Sequence, residues 1–154
     1  MGYIDKNLLP GESIIYRARL HSIIFLPAVL VGSLSLVFFG IGLSVSNLYL
    51  LSWLGLVFFI VAAFVALARY VRMRTSEFAI TEKRVLIKLG LVRRHTLELL
   101  LSKVETVGVE QTVAGRVLNY GTIIVTGTGG TKEPFSAIAN PLEFRKQVQA
   151  RAIG

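Results

Sequence analysis

From Ser22 to Ala68 the chain runs for 47 residues without one Asp, Glu, Lys, Arg or His. A bilayer core about 30 Å thick is crossed by roughly 20 apolar helical residues. The run is long enough for two crossings and a turn. Its polar interruption is Ser44-Val45-Ser46-Asn47, so the pattern predicts helices over 22–43 and 48–68. A helical hairpin buried in a soluble core is the other reading, but the rest of a 154-residue chain is too little to cover it on all sides. Pro27 falls about one turn into the first helix, where a missing N–H matters least. Ala28 and Gly32, with Ser35 and Gly42 near the same face, and Ala62 and Ala66 in the second helix are small residues at spacings that let membrane helices approach closely. Ala66-Leu67-Ala68 has the small-x-small form of a signal cleavage site, but it comes after two spans' worth of apolar chain, and no cleavage is expected.

Outside this run the periodicity changes to two. Ile14, Tyr16, Ala18 and Leu20 alternate with Ile15, Arg17 and Arg19, a strand ahead of the hairpin, behind an exposed lead-in expected over 1–11 with a Pro10-Gly11 turn. If that strand pairs with one beyond the hairpin, the two helices are an insertion between neighbouring strands. After Arg74 come strands over 76–81, 84–88, 91–100, 103–110, 122–126 and 131–138. They are separated by turn residues, and Pro134 weakens the last. Residues 112–118 read as irregular or a short helical turn, and Asn119-Tyr120-Gly121 as a turn. Asn140-Pro141-Leu142-Glu143 supplies a cap, a Pro and a first-turn acid, and Phe144, Val148 and Ala152 recur every four residues, predicting a closing helix over 141–152.

Charge supplies an orientation. Arg17 and Arg19 precede the first helix, Arg69, Arg72 and Arg74 come after the second, and the connecting turn is uncharged. Basic flanks stay on the cytoplasmic side, so these five arginines are expected to act as topology anchors with both ends of the chain cytoplasmic. Tyr49, Trp53 and Tyr70 fall near the interfaces. Residues 69–154 hold fourteen basic and seven acidic residues, most of the net +8. A basic domain beside anionic lipid gains roughly 1 kcal/mol per Lys or Arg close to the surface, which accounts for the sign without nucleic acid. The aromatics Phe78, Tyr120, Phe135 and Phe144 look like core rather than a stacking platform.

The stretches 8–27, 76–111, 115–135 and 140–149, among them "SEFAITEKRVLIKLGLVRRHTLELLLSKVETVGVEQ" and "GRVLNYGTIIVTGTGGTKEPF", resemble in order and content the bacterial membrane proteins that carry a pleckstrin-homology-like (PH-like) domain. The resemblance covers nearly the whole chain. It implies a fold, seven strands with a capping C-terminal helix, and a membrane location, but no activity. The basic phosphoinositide motif of eukaryotic PH domains lies between the first two strands. Here that loop is the hairpin, so that site is not carried over.

Candidate chemistry is sparse. Lys83, Arg84, Lys88, Arg93 and Arg94 cluster around two successive strand turns and could contact anionic headgroups. The other reading is a solvated basic face balanced by Glu77, Glu82 and Glu98. Arg93 and Arg94 cannot share one side of a strand. Gly127–Lys132 is glycine-rich, but Glu133-Pro134 stands where a phosphate-binding loop needs a helix, so a hairpin turn is expected. His21 and His95 lack second ligands at metal spacing. With no Cys, thiolate sites are excluded. No nucleophile–base pair is visible, so no catalytic residue, cofactor or metal is expected and the protein is read as a non-enzyme.

The sequence therefore predicts an α+β membrane protein: a lead-in and first strand over 1–21, a transmembrane helical hairpin over 22–68, and over 69–154 a cytoplasmic PH-like antiparallel β-barrel of about seven strands capped by a C-terminal helix. It is expected in the bacterial cytoplasmic (inner) membrane as a multi-pass binding or scaffolding module. Its expected contacts are membrane lipid, a protein partner or its own copies in a homo-oligomer, and not nucleic acid. An accessory or pore-forming subunit of a transport or channel assembly is the alternative. The absence of ionisable residues within the spans counts against it.

Overall fold

The computed structural model describes residues 3–90 and 95–152. Two compact units are present. One is the stretch Ser22–Val71, and the other joins the residues up to His21 with those from Arg72 onward.

The first unit is a helical hairpin. A 3₁₀ turn over Ser22–Phe25 leads into a helix over Leu26–Ser44. The α-helix proper starts at the Pro27 end because proline fixes a helical φ and its missing N–H is harmless in the first turn. Val45 is extended, and a second 3₁₀ turn over Ser46–Leu48 reverses the chain into the helix Tyr49–Thr75. That helix runs past the expected end at Ala68, because Arg69–Thr75 holds no Gly or Pro to stop it. The Ser76 N–H and hydroxyl then both donate to the Arg72 carbonyl, at 3.1 and 2.7 Å. Small residues meet along the seam. A Cβ added to Gly55 would stand 2.6 Å from the Phe39 nitrogen, and one on Gly42 would collide with the Ser52 backbone. Ala28, Ser35 and Ala62 are buried beside them, while Leu36, Leu43, Leu50 and Phe64 point outward, each more than 60 % exposed.

The second unit carries seven strands among the described residues: β1 (Ile14–Ala18), β2 (Glu77–Thr81), β3 (Arg84–Leu89), β4 (His95–Leu100), β5 (Val104–Glu110), β6 (Tyr120–Gly127) and β7 (Lys132–Ala139). They form a four-stranded sheet, β1-β2-β3-β4, and a three-stranded sheet, β5-β6-β7, all neighbours antiparallel. β1 pairs with β2, Ala18 opposite Phe78, so the hairpin leaves and re-enters the sheet between adjacent strands.

The expected barrel does not close. β4 and β5 are joined by a 3₁₀ turn, Leu101–Lys103, and are not paired. At the other corner a single bridge, Leu20 to Ile138, links the sheets, with the Ala139 N–H donating to the Arg19 carbonyl and the His21 N–H to that of Ala137. Ala137 reaches back to His21 from a bulge in β7, at φ +60. Pro134 sits on β7, an edge strand, where a missing N–H is tolerated.

Phe78 and Ile80 on the first sheet face Ile123, Val125 and Phe135 on the second, with the Phe78 and Phe135 rings edge to face at 6.2 Å. A C-terminal helix (Pro141–Ala152) adds Phe144 and Val148, both fully buried, and Phe144 meets the Tyr16 ring. Asn140 precedes this helix without capping it through its side chain. Its backbone carbonyl takes the first N–H groups, and its side-chain oxygen accepts from Asn119. Of the expected turn Asn119-Tyr120-Gly121, only Asn119 takes a left-handed conformation, φ +57, so β6 begins at once at Tyr120, earlier than the sequence predicts.

The lead-in is not an exposed tail. A helical turn over Tyr3–Lys6 lays Ile4 onto Ala79 and Leu86, with Tyr3, Leu8 and Ile14 alongside. The outer face of β2 and β3 is thereby buried as well as the inner one, so β2 reads Phe-Ala-Ile-Thr without a solvent-facing position after Glu77.

Candidate functional site

The basic residues singled out in the sequence do not form one pocket. Lys83 and Arg84 lie at the β2–β3 turn and Lys88 near the far end of β3. Five strand residues at about 3.3 Å each separate Lys83 from Lys88 by roughly 17 Å. Arg93 and Arg94 lie outside the described residues.

Arg84 is occupied. Its Nε and Nη2 donate to the two oxygens of Glu12 at 3.0 and 2.9 Å, its Nη1 to Glu98 at 2.8 Å, and its Nη2 also to the Asn7 carbonyl at 2.7 Å. Glu12 is shut off from water and further receives the Thr81 hydroxyl at 2.6 Å and the Leu9 N–H at 2.8 Å. The guanidinium beside it holds the Glu12 carboxyl down to about 2, against the upward push of burial, with the Leu9 and Thr81 donors helping. The same pairing raises the Arg84 pKa.

Lys88 places its ammonium 5.0 Å from the centre of the Tyr3 ring. The neighbouring Glu77 carboxylate accepts the N–H groups of Tyr3 and Ile4 at 2.9 and 3.0 Å. Arg84 and Lys88 therefore fasten the N-terminal segment onto the sheet, whereas Lys83 is exposed. Of the five flanking arginines, Arg17 pairs with Asp5 and stays half exposed, and Arg19 is exposed beyond β1. Arg69, Arg72 and Arg74 lie on the last turns of the helix Tyr49–Thr75, where cations oppose the negative end of the helix dipole.

Sequence reasoning named Glu98 among the acids balancing the basic face but missed Glu12 as the main partner of Arg84. Glu12 was visible as one of two acids in the first twenty residues, but nothing local says that it meets Arg84, 72 positions away.

Among the described residues the outer edges of β4 and β5 have no strand partner, while the β1 and β7 sides meet only at the Leu20–Ile138 bridge. Beside β4 a cleft of about 170 Å³ is lined by Leu97, Leu99, Val125, Gly127, Thr131 and Glu133. His95 and Glu133 approach to 3.5 Å at the same place. Among the described residues no three His, Asp or Glu side chains gather as metal ligands would.

The sheet domain is thus four and three antiparallel strands in two sheets with a helix packed against them. A sequence profile of the bacterial PH domain matches residues 22–152, hairpin included, and the chain belongs to that family. Comparison with curated proteins and with solved structures gives no match.

Proposed function

We propose that this protein is a binding and scaffolding module without catalytic activity, anchored in the bacterial inner membrane by its helical hairpin. The sheet domain would lie on the cytoplasmic side, where it contacts a protein partner, a second copy or anionic headgroups. The observation that carries the anchoring is the inverted burial of Ser22–Val71. Small side chains fill its seam, and large aliphatic and aromatic ones cover its outside. Water drives large apolar groups inward, whereas helices in lipid pack through small residues and leave the large ones to the acyl chains. The flanking arginines supply the orientation.

The binding part of the reading rests on the fold, which belongs to a class of binding domains, and on the free edges of β4 and β5. An extended segment can add to such an edge, and the apolar cleft beside β4 offers room for one of its side chains. Of the three described residues in the basic cluster, Lys83, Arg84 and Lys88, Lys83 is the exposed one and is open to an acidic ligand.

The test is crosslinking in native membranes and then pull-down of the full chain. A discrete crosslinked species whose attachment maps to 95–110 supports the module. Crosslinks confined to lipid-facing positions of the hairpin, with none on the sheet domain, would refute it.

A further inference from the structure

We infer that the corner formed by Val113, Val117, Leu118 and Leu142 is a second membrane contact, a wedge that seats the sheet domain in the lipid surface. It rests on the membrane reading above. Val113 and Val117 are 79 and 80 % exposed, and Leu118 and Leu142 about half exposed. Arg116, exposed in the midst of them, is placed to meet a headgroup phosphate. Together with Val109, Gln111 and Asn119, Arg116 and Leu142 line a cleft of about 390 Å³.

The valines are held out by construction. They sit on a five-residue helix, Val113–Val117, whose Thr112 cap accepts the Gly115 N–H at 3.0 Å. Gln111 clamps the turn from beneath, donating to the carbonyls of Gly115 and Tyr120 at 3.2 and 3.0 Å. A Cβ on Gly115 would stand 2.7 Å from the Tyr120 oxygen, so the helix is drawn tight against the start of β6. A fastened turn that presents two branched aliphatic side chains outward is shaped for an apolar surface.

The choice of occupant comes from connectivity. The His21 ring stacks on Tyr120, centroids 5.2 Å apart, and the residue after His21 is Ser22, where the uncharged run begins. Wherever the lipid boundary falls at that end of the run, Tyr120 lies close to it. Leu118 and Val117 are two and three residues from Tyr120, within about 11 Å even if extended. Within its own unit, the patch is thus two to three residues from the tyrosine that stacks on the residue leading into the uncharged run. An amphipathic element at a lipid boundary buries its apolar side between headgroups and acyl chains and keeps its cation at the phosphates.

The chain has no cysteine, so single replacements report without background. Full-length protein carrying Val117→Cys, Thr128→Cys or Leu36→Cys is labelled with an environment-sensitive fluorophore. It is then reconstituted in phosphatidylglycerol-containing vesicles with brominated acyl chains. Thr128 lies in the β6–β7 turn at the opposite end of β6, and Leu36 on the outer face of the hairpin. The inference expects quenching by bromine at 36 and 117, strongest at 117 when the bromine is near the headgroup, and none at 128. Quenching at 36 with a water-exposed probe at 117 overturns the wedge and leaves the anchor standing. A probe at 117 shielded from water yet not quenched overturns it in favour of a protein cover, and loss of quenching at 36 removes anchor and wedge together.

Discussion

A guanidinium with four hydrogen bonds to protein is not available to solvent chemistry, and Arg84 makes four. Removing one partner of a buried ion pair costs about 3–5 kcal/mol. Arg84 retains Glu98 and keeps 12 % of its side-chain surface in water, so Glu12→Gln is expected at the low end, about 3 kcal/mol. The pH dependence has a definite sign. The Glu12 carboxyl titrates near 4.5 unfolded and about 2 folded. Its contribution is complete above 4.5 and is lost as pH falls from there towards 2. Thermal unfolding of the sheet domain in mild detergent, monitored by its β-sheet circular dichroism, should show this acid loss in the parent chain and a shallower one in Glu12→Gln. An unchanged acid limb in the variant would mean that the pair holds nothing. Residue-scale reasoning from sequence found the cations but could not assign them. Charge is visible in a sequence, whereas the burial that decides whether a cation faces lipid or a carboxylate depends on contacts some 70 residues apart.

At the scale of elements, the hairpin helices were legible from the unbroken apolar run and its polar turn, but the end of the second was not, because the helix continues through Arg69–Thr75. The predicted strands over 76–81, 84–88 and 103–110 lie within a residue or two of β2, β3 and β5, since hairpin turns punctuate them. The helical turn Tyr3–Lys6 was not legible. Four residues have no periodicity, and its anchors are Glu77 and Lys88 in distant strands. Barrel closure also could not be read, because pairing of β4 with β5 depends on how the turn at Leu101–Lys103 aims the chain. The small-residue seam makes a prediction of its own. An added Cβ at Gly55 collides with backbone at 2.6 Å, while one at Gly32 meets the Ala62 Cβ at an ordinary 3.7 Å. Overpacking costs about 1–3 kcal/mol, so Gly55→Ala should loosen the hairpin and Gly32→Ala should be tolerated. Trp53 is the only tryptophan and lies in the second helix, so its fluorescence during denaturation in mixed micelles reads the hairpin selectively. Equal midpoints for the two variants would contradict the seam.

Considered as a whole, the molecule is a bacterial PH domain with a helical hairpin set into it between β1 and β2. That position matters physically. Both ends of the hairpin continue into paired strands of one sheet, through Arg19–His21 on one side and the end of the helix Tyr49–Thr75 on the other. The central claim is that lipid surrounds Ser22–Ala68 while the strands stay on the cytoplasmic side. Thiol labelling in intact cells tests it most directly, again without background from native cysteine. A membrane-impermeant maleimide should label Asn47→Cys, in the turn between the two helices, in whole cells, and should reach Thr128→Cys only after lysis. Labelling of Thr128→Cys in whole cells, or protection of Asn47→Cys until lysis, would contradict the account.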